Sequence, residues 1–156
     1  MKKVFFISSA FLLLVIAACN NADKKTGGDI PAPMTKADSL EKEVLEGHDI
    51  AMPKSMKIPD LQKETKRLID SIGKLPAKAQ EAAAPYKAKL ENLLKELDDA
   101  YLAMDKWMTE FNYDSAKDNI ELRVKYLAEE KLKVNTVKEA ILSSLSKADS
   151  LLKTKF

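Results

Sequence analysis

Six side chains capable of soft-metal binding or ring stacking recur at helical spacing in two parts of the chain. They are His48, Met52, Met56, Met104, Trp107 and Met108. Residues four apart lie on one face of an α-helix, and imidazole and thioether groups are soft ligands that suit Cu(I). A copper site is the alternative interpretation of this pattern, and core packing is the favoured one. The ligands of the copper site would be His48, Met52, Met104 and Met108, with Met56 and Trp107 in support.

The same residues have a structural interpretation. Methionine at helical spacing commonly fills irregular gaps in a core. A histidine near such a layer commonly hydrogen-bonds a free backbone carbonyl, such as the one that Pro53 leaves without a donor. A groove for a peptide or a small molecule is a third interpretation. On the structural interpretation the protein needs no cofactor.

The segment around His48 contains residues that disfavour a helix. Gly47 costs a helix interior about 1 kcal/mol, and Pro53 costs about 3 kcal/mol. Pro59 adds a second proline six residues later. We therefore expect the first helix to be kinked near Pro53, and local conflicts of this kind tend to mark strained or functional sites.

Other chemistry finds no support in the sequence. The chain contains no G-x-S-x-G, P-loop, G-x-G-x-x-G, C-x-x-C or H-E-x-x-H motif. The carboxylate pairs Asp98–Asp99 and Glu129–Glu130 have lysines at helical spacing, which is typical of a solvated charged face. The sequence therefore predicts a protein without catalytic activity.

Long helices must position these residues. Apolar side chains recur every three or four residues in stretches at about 37–72, 77–111 and 116–152, and the middle stretch organises the others. Its predicted stripe is Tyr86, Leu90, Leu93, Leu97, Tyr101, Met104, Met108 and Phe111, widened by Leu94, Ala100 and Trp107. Turns are predicted at Gly73–Pro76 and at 112–115, with Asp114 or Ser115 capping the third helix.

Residues 37–156 are therefore predicted to form an all-α domain. Short turns between long helices favour antiparallel neighbours, so the simplest arrangement is an up-down-up antiparallel three-helix bundle. A longer coiled coil assembled between chains is the alternative, because a second copy also hides an apolar stripe.

The amino-terminal residues resemble a lipoprotein signal. Lys2 and Lys3 precede an apolar run from Val4 to Ile16 that is too short to span a bilayer. The following Ile-Ala-Ala-Cys resembles the lipobox of bacterial lipoproteins, which implies a signal peptide at 1–18 and an acylated Cys19. Residues 19–36 contain Gly and Pro breakers and predict a flexible tether. The membrane is then a partner through the acyl chains on Cys19.

Cleavage before Cys19 would change the net charge of the protein and expose the residues that determine its membrane location. Loss of Lys2 and Lys3 leaves 24 basic residues against 24 acidic ones, which argues against a nucleic-acid partner. Asn20 and Asn21 replace the aspartate that retains lipoproteins at the inner membrane of well-studied bacteria. We expect an outer-membrane location, facing the periplasm or the cell surface.

Three motifs resemble those of a family of small Bacteroidota lipoproteins often labelled "viral A-type inclusion protein". They are H-D-x-x-M-P-K at His48–Lys54, M-x-x-W-M-x-x-F at Met104–Phe111 and Y-L-x-x-E at Tyr126–Glu130. The resemblance covers most of the chain after Cys19 and implies no specific activity. The expected function is a structural or interaction lipoprotein of the envelope, with a protein partner or self-association. The alternative is a periplasmic copper-binding lipoprotein.

Overall fold

Four α-helices form the part of the chain that the structure, a computed structural model, describes, residues 34–153. They are α1 (Lys36–Ser55), α2 (Ile58–Gly73), α3 (Ala77–Glu110) and α4 (Ile120–Leu152). No strand occurs within this range, so the predicted all-α class is confirmed. The predicted signal peptide, Cys19 and the tether up to residue 33 lie outside the described residues.

The first predicted helix is two helices. α1 begins after Thr35, whose side chain accepts a hydrogen bond from the Asp38 backbone while the Asp38 carboxylate accepts one from the Thr35 backbone. α1 continues through Pro53 and ends at Ser55, so the break lies at residues 56–57 and not at the proline itself. Pro59 is in the first turn of α2, where a missing N–H has no helical partner to lose.

The start of the last helix differs from the prediction. α4 begins at Ile120, four residues later than expected, and neither Asp114 nor Ser115 caps it. The side chain of Asn119 accepts hydrogen bonds from the backbone N–H groups of Glu121 and Leu122. Ala116 has a φ of 56°, a left-handed conformation that a helix does not accommodate. α3 continues through Pro85. Its end near Phe111 is the predicted one.

Each of the first two helices packs mainly against a different partner. α1 packs against α4, α2 packs against α3, and α3 packs against α4. The buried stripe of α3 agrees with the predicted one except at its edge, where Ala100 and Trp107 are buried while Tyr101 and Met108 are exposed. The stripe consists of Leu90, Leu93, Leu97, Ala100, Met104 and Trp107.

Gly47 lies where α1 and α4 approach each other closely. A Cβ built on Gly47 would lie 2.9 Å from Cγ1 of Val134, which is fully buried. No ordinary side-chain contact is that short, so only glycine lets the two helices approach this closely. The residue that disfavours the helix in sequence terms therefore allows the helix to pack.

A buried guanidinium links the amino-terminal part of α1 to the loop before α4. Arg123, which is 5% exposed, donates hydrogen bonds to the carboxylate of Glu41 at 2.7 Å and to the Ser115 carbonyl at 2.9 Å. The Tyr113 hydroxyl donates to the other oxygen of Glu41. These two donors, Tyr113 first, hold the pKa of Glu41 below its ordinary value of 4.5.

Replacing Gly47 with alanine tests the close approach. Alanine gains about 1 kcal/mol of helix propensity, but the clash with the stiff Val134 side chain costs about 1–3 kcal/mol. We expect Gly47→Ala to lower the free energy of unfolding in urea by about 1 kcal/mol. Gly73→Ala is the matched control, because its Cβ meets nothing within 4 Å, and it should stabilise the protein.

In a Val134→Ala background the same Gly47→Ala change should become stabilising, because the obstructing methyl groups are gone. An unchanged effect of Gly47→Ala in that background would contradict the packing argument.

The ion pair at Glu41 predicts a pH dependence of stability. A carboxyl whose pKa is lowered by folding contributes stability above its unfolded pKa, and this contribution is lost as the pH falls through the folded pKa. We expect Glu41→Gln to be less stable than wild type near neutral pH, with the difference shrinking as the pH drops from about 6 to about 3. Glu46→Gln, at an exposed site, is the control and should show a smaller difference. If the free energies of unfolding of wild type and Glu41→Gln fell in parallel as the pH dropped, the Glu41 carboxylate would not be stabilised by Arg123 and Tyr113.

Candidate functional site

Four methionines line one groove at the junction between α1 and α2. Met52 lies in α1 and Met56 directly follows that helix, and together they form one wall of the groove. Met104 and Met108 belong to α3 and form the other wall. The groove has a volume of about 220 Å³. Its remaining lining residues are Ser55, Pro59, Tyr101 and Asp105.

Helical spacing explains why these side chains converge. Tyr101, Met104, Asp105 and Met108 follow the i, i+3, i+4, i+7 pattern of a single helix face. Met52, Ser55 and Met56 repeat the first part of that pattern on the other wall. The break after Ser55 turns the chain away, so that the two walls do not close over the groove.

The methionines differ strongly in burial. Met104 is 2% exposed and belongs to the core, and Met52 packs against that core. Met108 is 37% exposed and Met56 is 69% exposed, so both lie at the mouth of the groove. The Ser55 hydroxyl lies 3.7 Å from the sulfur of Met52 and donates to the Met52 carbonyl at 2.8 Å. This hydroxyl helps to fix the position of the Met52 side chain on its wall.

His48 does not line the groove. Its ring lies 5.7 Å from the Trp107 ring, centroid to centroid, and its Nδ1 is 3.0 Å from a carboxylate oxygen of Asp49. The partner of the imidazole is therefore a side chain and not the carbonyl that Pro53 leaves free. Of the predicted ligands, the structure brings Met52, Met104 and Met108 together with Met56, while His48 and Trp107 form a separate, tilted ring pair.

Two further rings continue this aromatic series from Trp107. Trp107 lies 4.9 Å from Phe111, and Phe111 lies 6.2 Å from Tyr126, with both pairs stacked. The Tyr126 hydroxyl accepts a hydrogen bond of 2.7 Å from the Asn112 backbone. The aromatic residues therefore connect the end of α3 to α4 and hold the α3 wall of the groove in place.

Glu130 is a buried carboxylate that the charge pattern did not predict. It is 4% exposed, it accepts a hydrogen bond of 3.0 Å from Nε1 of Trp107, and it pairs with Lys133 at 2.8 Å. The prediction of a solvated face is therefore wrong for Glu130. The Glu130 carboxylate also raises the pKa of Lys133.

The sequence did contain a signal for this burial. Arg123, Leu127, Glu130 and Val134 step by four and three along the buried stripe of α4, and residues at these spacings share a helix face. A charged side chain within such a stripe needs a partner, because an unpaired buried charge is costly. Local spacing does give Lys133 as a partner of Glu130, three residues on. Trp107 N–H and Glu41 come from other helices and cannot be read from local spacing.

The chemistry of the groove is that of neutral thioethers beside one carboxylate and one phenol. Within residues 34–153, no group of three or more His, Cys, Asp or Glu side chains is arranged to hold a metal ion. In the same range no helix has the length and apolar character required to cross a membrane. Comparison of the chain with family models, with curated proteins and with solved structures gave no match.

Removal of the Glu130 carboxylate tests the link between α3 and α4. Glu130→Ala leaves the buried Trp107 N–H without an acceptor, so we expect the free energy of unfolding to fall by about 1–3 kcal/mol. Glu129→Ala, at the exposed neighbouring position, should change it by no more than about 0.5 kcal/mol. Urea unfolding followed by circular dichroism measures both values. Equal losses in the two variants would show that the Trp107–Glu130 hydrogen bond contributes nothing.

Proposed function

We propose that this protein is a lipid-anchored, non-enzymatic lipoprotein of the bacterial envelope that acts as a structural or interaction module. The observation that carries the proposal is the run from Lys2 to Cys19, in which a basic start and an apolar segment precede Ile-Ala-Ala-Cys. Two or more acyl chains on Cys19 give stable anchoring, because each buried CH₂ contributes about 0.8 kcal/mol. The outer membrane is the proposed location, and no enzyme activity is part of the proposal.

The arrangement of helices supports a module that presents surfaces to partners. We propose an up-down-up order, in which α1 and α2 together form the first arm, α3 the second and α4 the third. Two contacts between α1 and α4 support this order. Glu41 contacts Arg123 and, further along both helices, Gly47 contacts Val134, as expected when the first and third arms are parallel. α3 and α4 run in opposite directions, since Glu96 pairs with Lys147 and Trp107 pairs with Glu130.

The anchoring is tested by expressing the full chain in a bacterial host fed with a labelled fatty acid. We expect label on the protein, an acylated Cys19 at the new amino terminus by mass spectrometry, and recovery in the membrane fraction. Cys19→Ser should carry no label and should not be processed at that site. An unmodified Cys19, or cleavage at another residue, would remove the lipoprotein proposal.

The outer-membrane location is tested separately, with a second variant in the same host. Asn20→Asp restores an aspartate after the acylated cysteine, so we expect this variant to shift from the outer to the inner membrane fraction in a host that uses this sorting signal. An unchanged distribution between the two fractions would argue against the outer-membrane assignment while leaving the anchoring intact.

A further inference from the structure

We propose that the groove between the α1–α2 junction and α3 binds one soft monovalent metal ion, Cu(I) or its analogue Ag(I), through thioether sulfurs alone. The ligands would be drawn from Met52, Met56, Met104 and Met108, and His48 is not among them. The inference is independent of lipid anchoring, because every residue of this site lies in the folded bundle. It differs from the site predicted from the sequence, which needed an imidazole ligand.

The first argument is the concentration of sulfur. The whole chain has six methionines, and four of them line this one groove. They come from two separate segments whose local spacing brings them face to face. Thioethers are soft, uncharged donors that select monovalent copper over Mg²⁺, Ca²⁺ or Zn²⁺.

The second argument is that core packing explains only part of the set. Met104 is buried, and Met52 is partly buried, so gap filling accounts for both. Met56 is more than two-thirds exposed, and Met108 is at the boundary of exposure. An exposed methionine fills no core gap, yet both of these line the groove on which the buried pair also opens.

The third argument concerns the support of the site and the charge beside it. Ser55 helps to position Met52, and the α3 wall is fixed through the hydrogen bond from Trp107, the residue before Met108, to Glu130. Met52, Met104 and Met108 lie on packed helices, where ligands are held more precisely than on loops. Asp105 also lines the groove and is the one carboxylate there, so it supplies negative charge next to a cation without competing as a soft ligand.

Titration with silver nitrate in chloride-free buffer tests the proposal, because Ag(I) does not change oxidation state in the assay. The full chain carries Cys19→Ser, so that no thiol competes, and its methionine methyl groups are labelled with carbon-13 for NMR. With an equimolar amount of silver, we expect the methyl signals of the groove methionines to shift while that of Met34 stays in place. Met34 is an exposed methionine outside the groove and serves as the internal control.

Affinity measurements on variants assign the ligands. Met56→Leu with Met108→Leu conserves volume at exposed positions, so the fold should persist, as circular dichroism will verify. We expect this pair of changes to weaken silver binding by more than about tenfold. Losing a residue that only orients a metal ligand already costs about 10–100-fold in affinity, and these changes remove ligands themselves. Met34→Leu and His48→Gln should bind as the parent does, and Cu(I) held reduced by ascorbate should reproduce the same order.

Three results would overturn the inference. One is binding weaker than micromolar, and another is a methyl shift of Met34 as large as those of the groove methionines. The third is a loss of affinity in His48→Gln that equals the loss in the double leucine variant, because an imidazole would then be a ligand. None of these results bears on the acylation of Cys19, so the two proposals fail separately.

Discussion

The division of the first arm between two partners is the constraint on which the rest of the bundle depends. α1 packs on α4 and α2 packs on α3, so the chain must cross from the surface of α4 to that of α3 at residues 56–57. Two residues permit the crossing. Gly47 lets α1 approach Val134 closely, and Pro59 lies in the first turn of α2, where its missing N–H has no helical partner to lose. The methionine groove lies at this crossing, where neither α1 nor α2 covers α3 completely.

Buried polar contacts determine how the helices pair along their length. Arg123 is fixed by Glu41 at one level of the bundle, and Glu130 is fixed by Trp107 at the next. Each contact joins different helices. If α4 slips by one turn, Arg123 loses the Glu41 carboxylate and the Trp107 N–H loses its acceptor on Glu130. Apolar stripes alone tolerate such slippage because most of their side chains are alike. The polar pairs therefore specify the register, while the apolar stripe supplies most of the burial.

The sequence was sufficient for the helical class and for the ends of α3. Periodicity located most of the α3 stripe, but it did not decide between adjacent residues at the edge of the stripe, because neighbours are separated by 100° around a helix. Tyr101 and Met108 were thus placed in the stripe, where the smaller Ala100 and the adjacent Trp107 are buried. Such choices depend on the shape of the partner helix, and local spacing carries no record of that shape.

The candidate site was predictable to a similar extent. Spacing four apart correctly grouped Met104 with Met108 and Met52 with Met56, because each pair belongs to one helical turn. The role of His48 was not predictable, since its neighbour on α3 depends on the register between two helices. Trp107 lies in the same turn of α3 as Met104 and Met108, so a rotation of α3 of about 100° separates facing Trp107 from facing Met108. The structure places the imidazole on Trp107, and this leaves a donor set of thioethers, whose softness defines the class of ion that the groove suits.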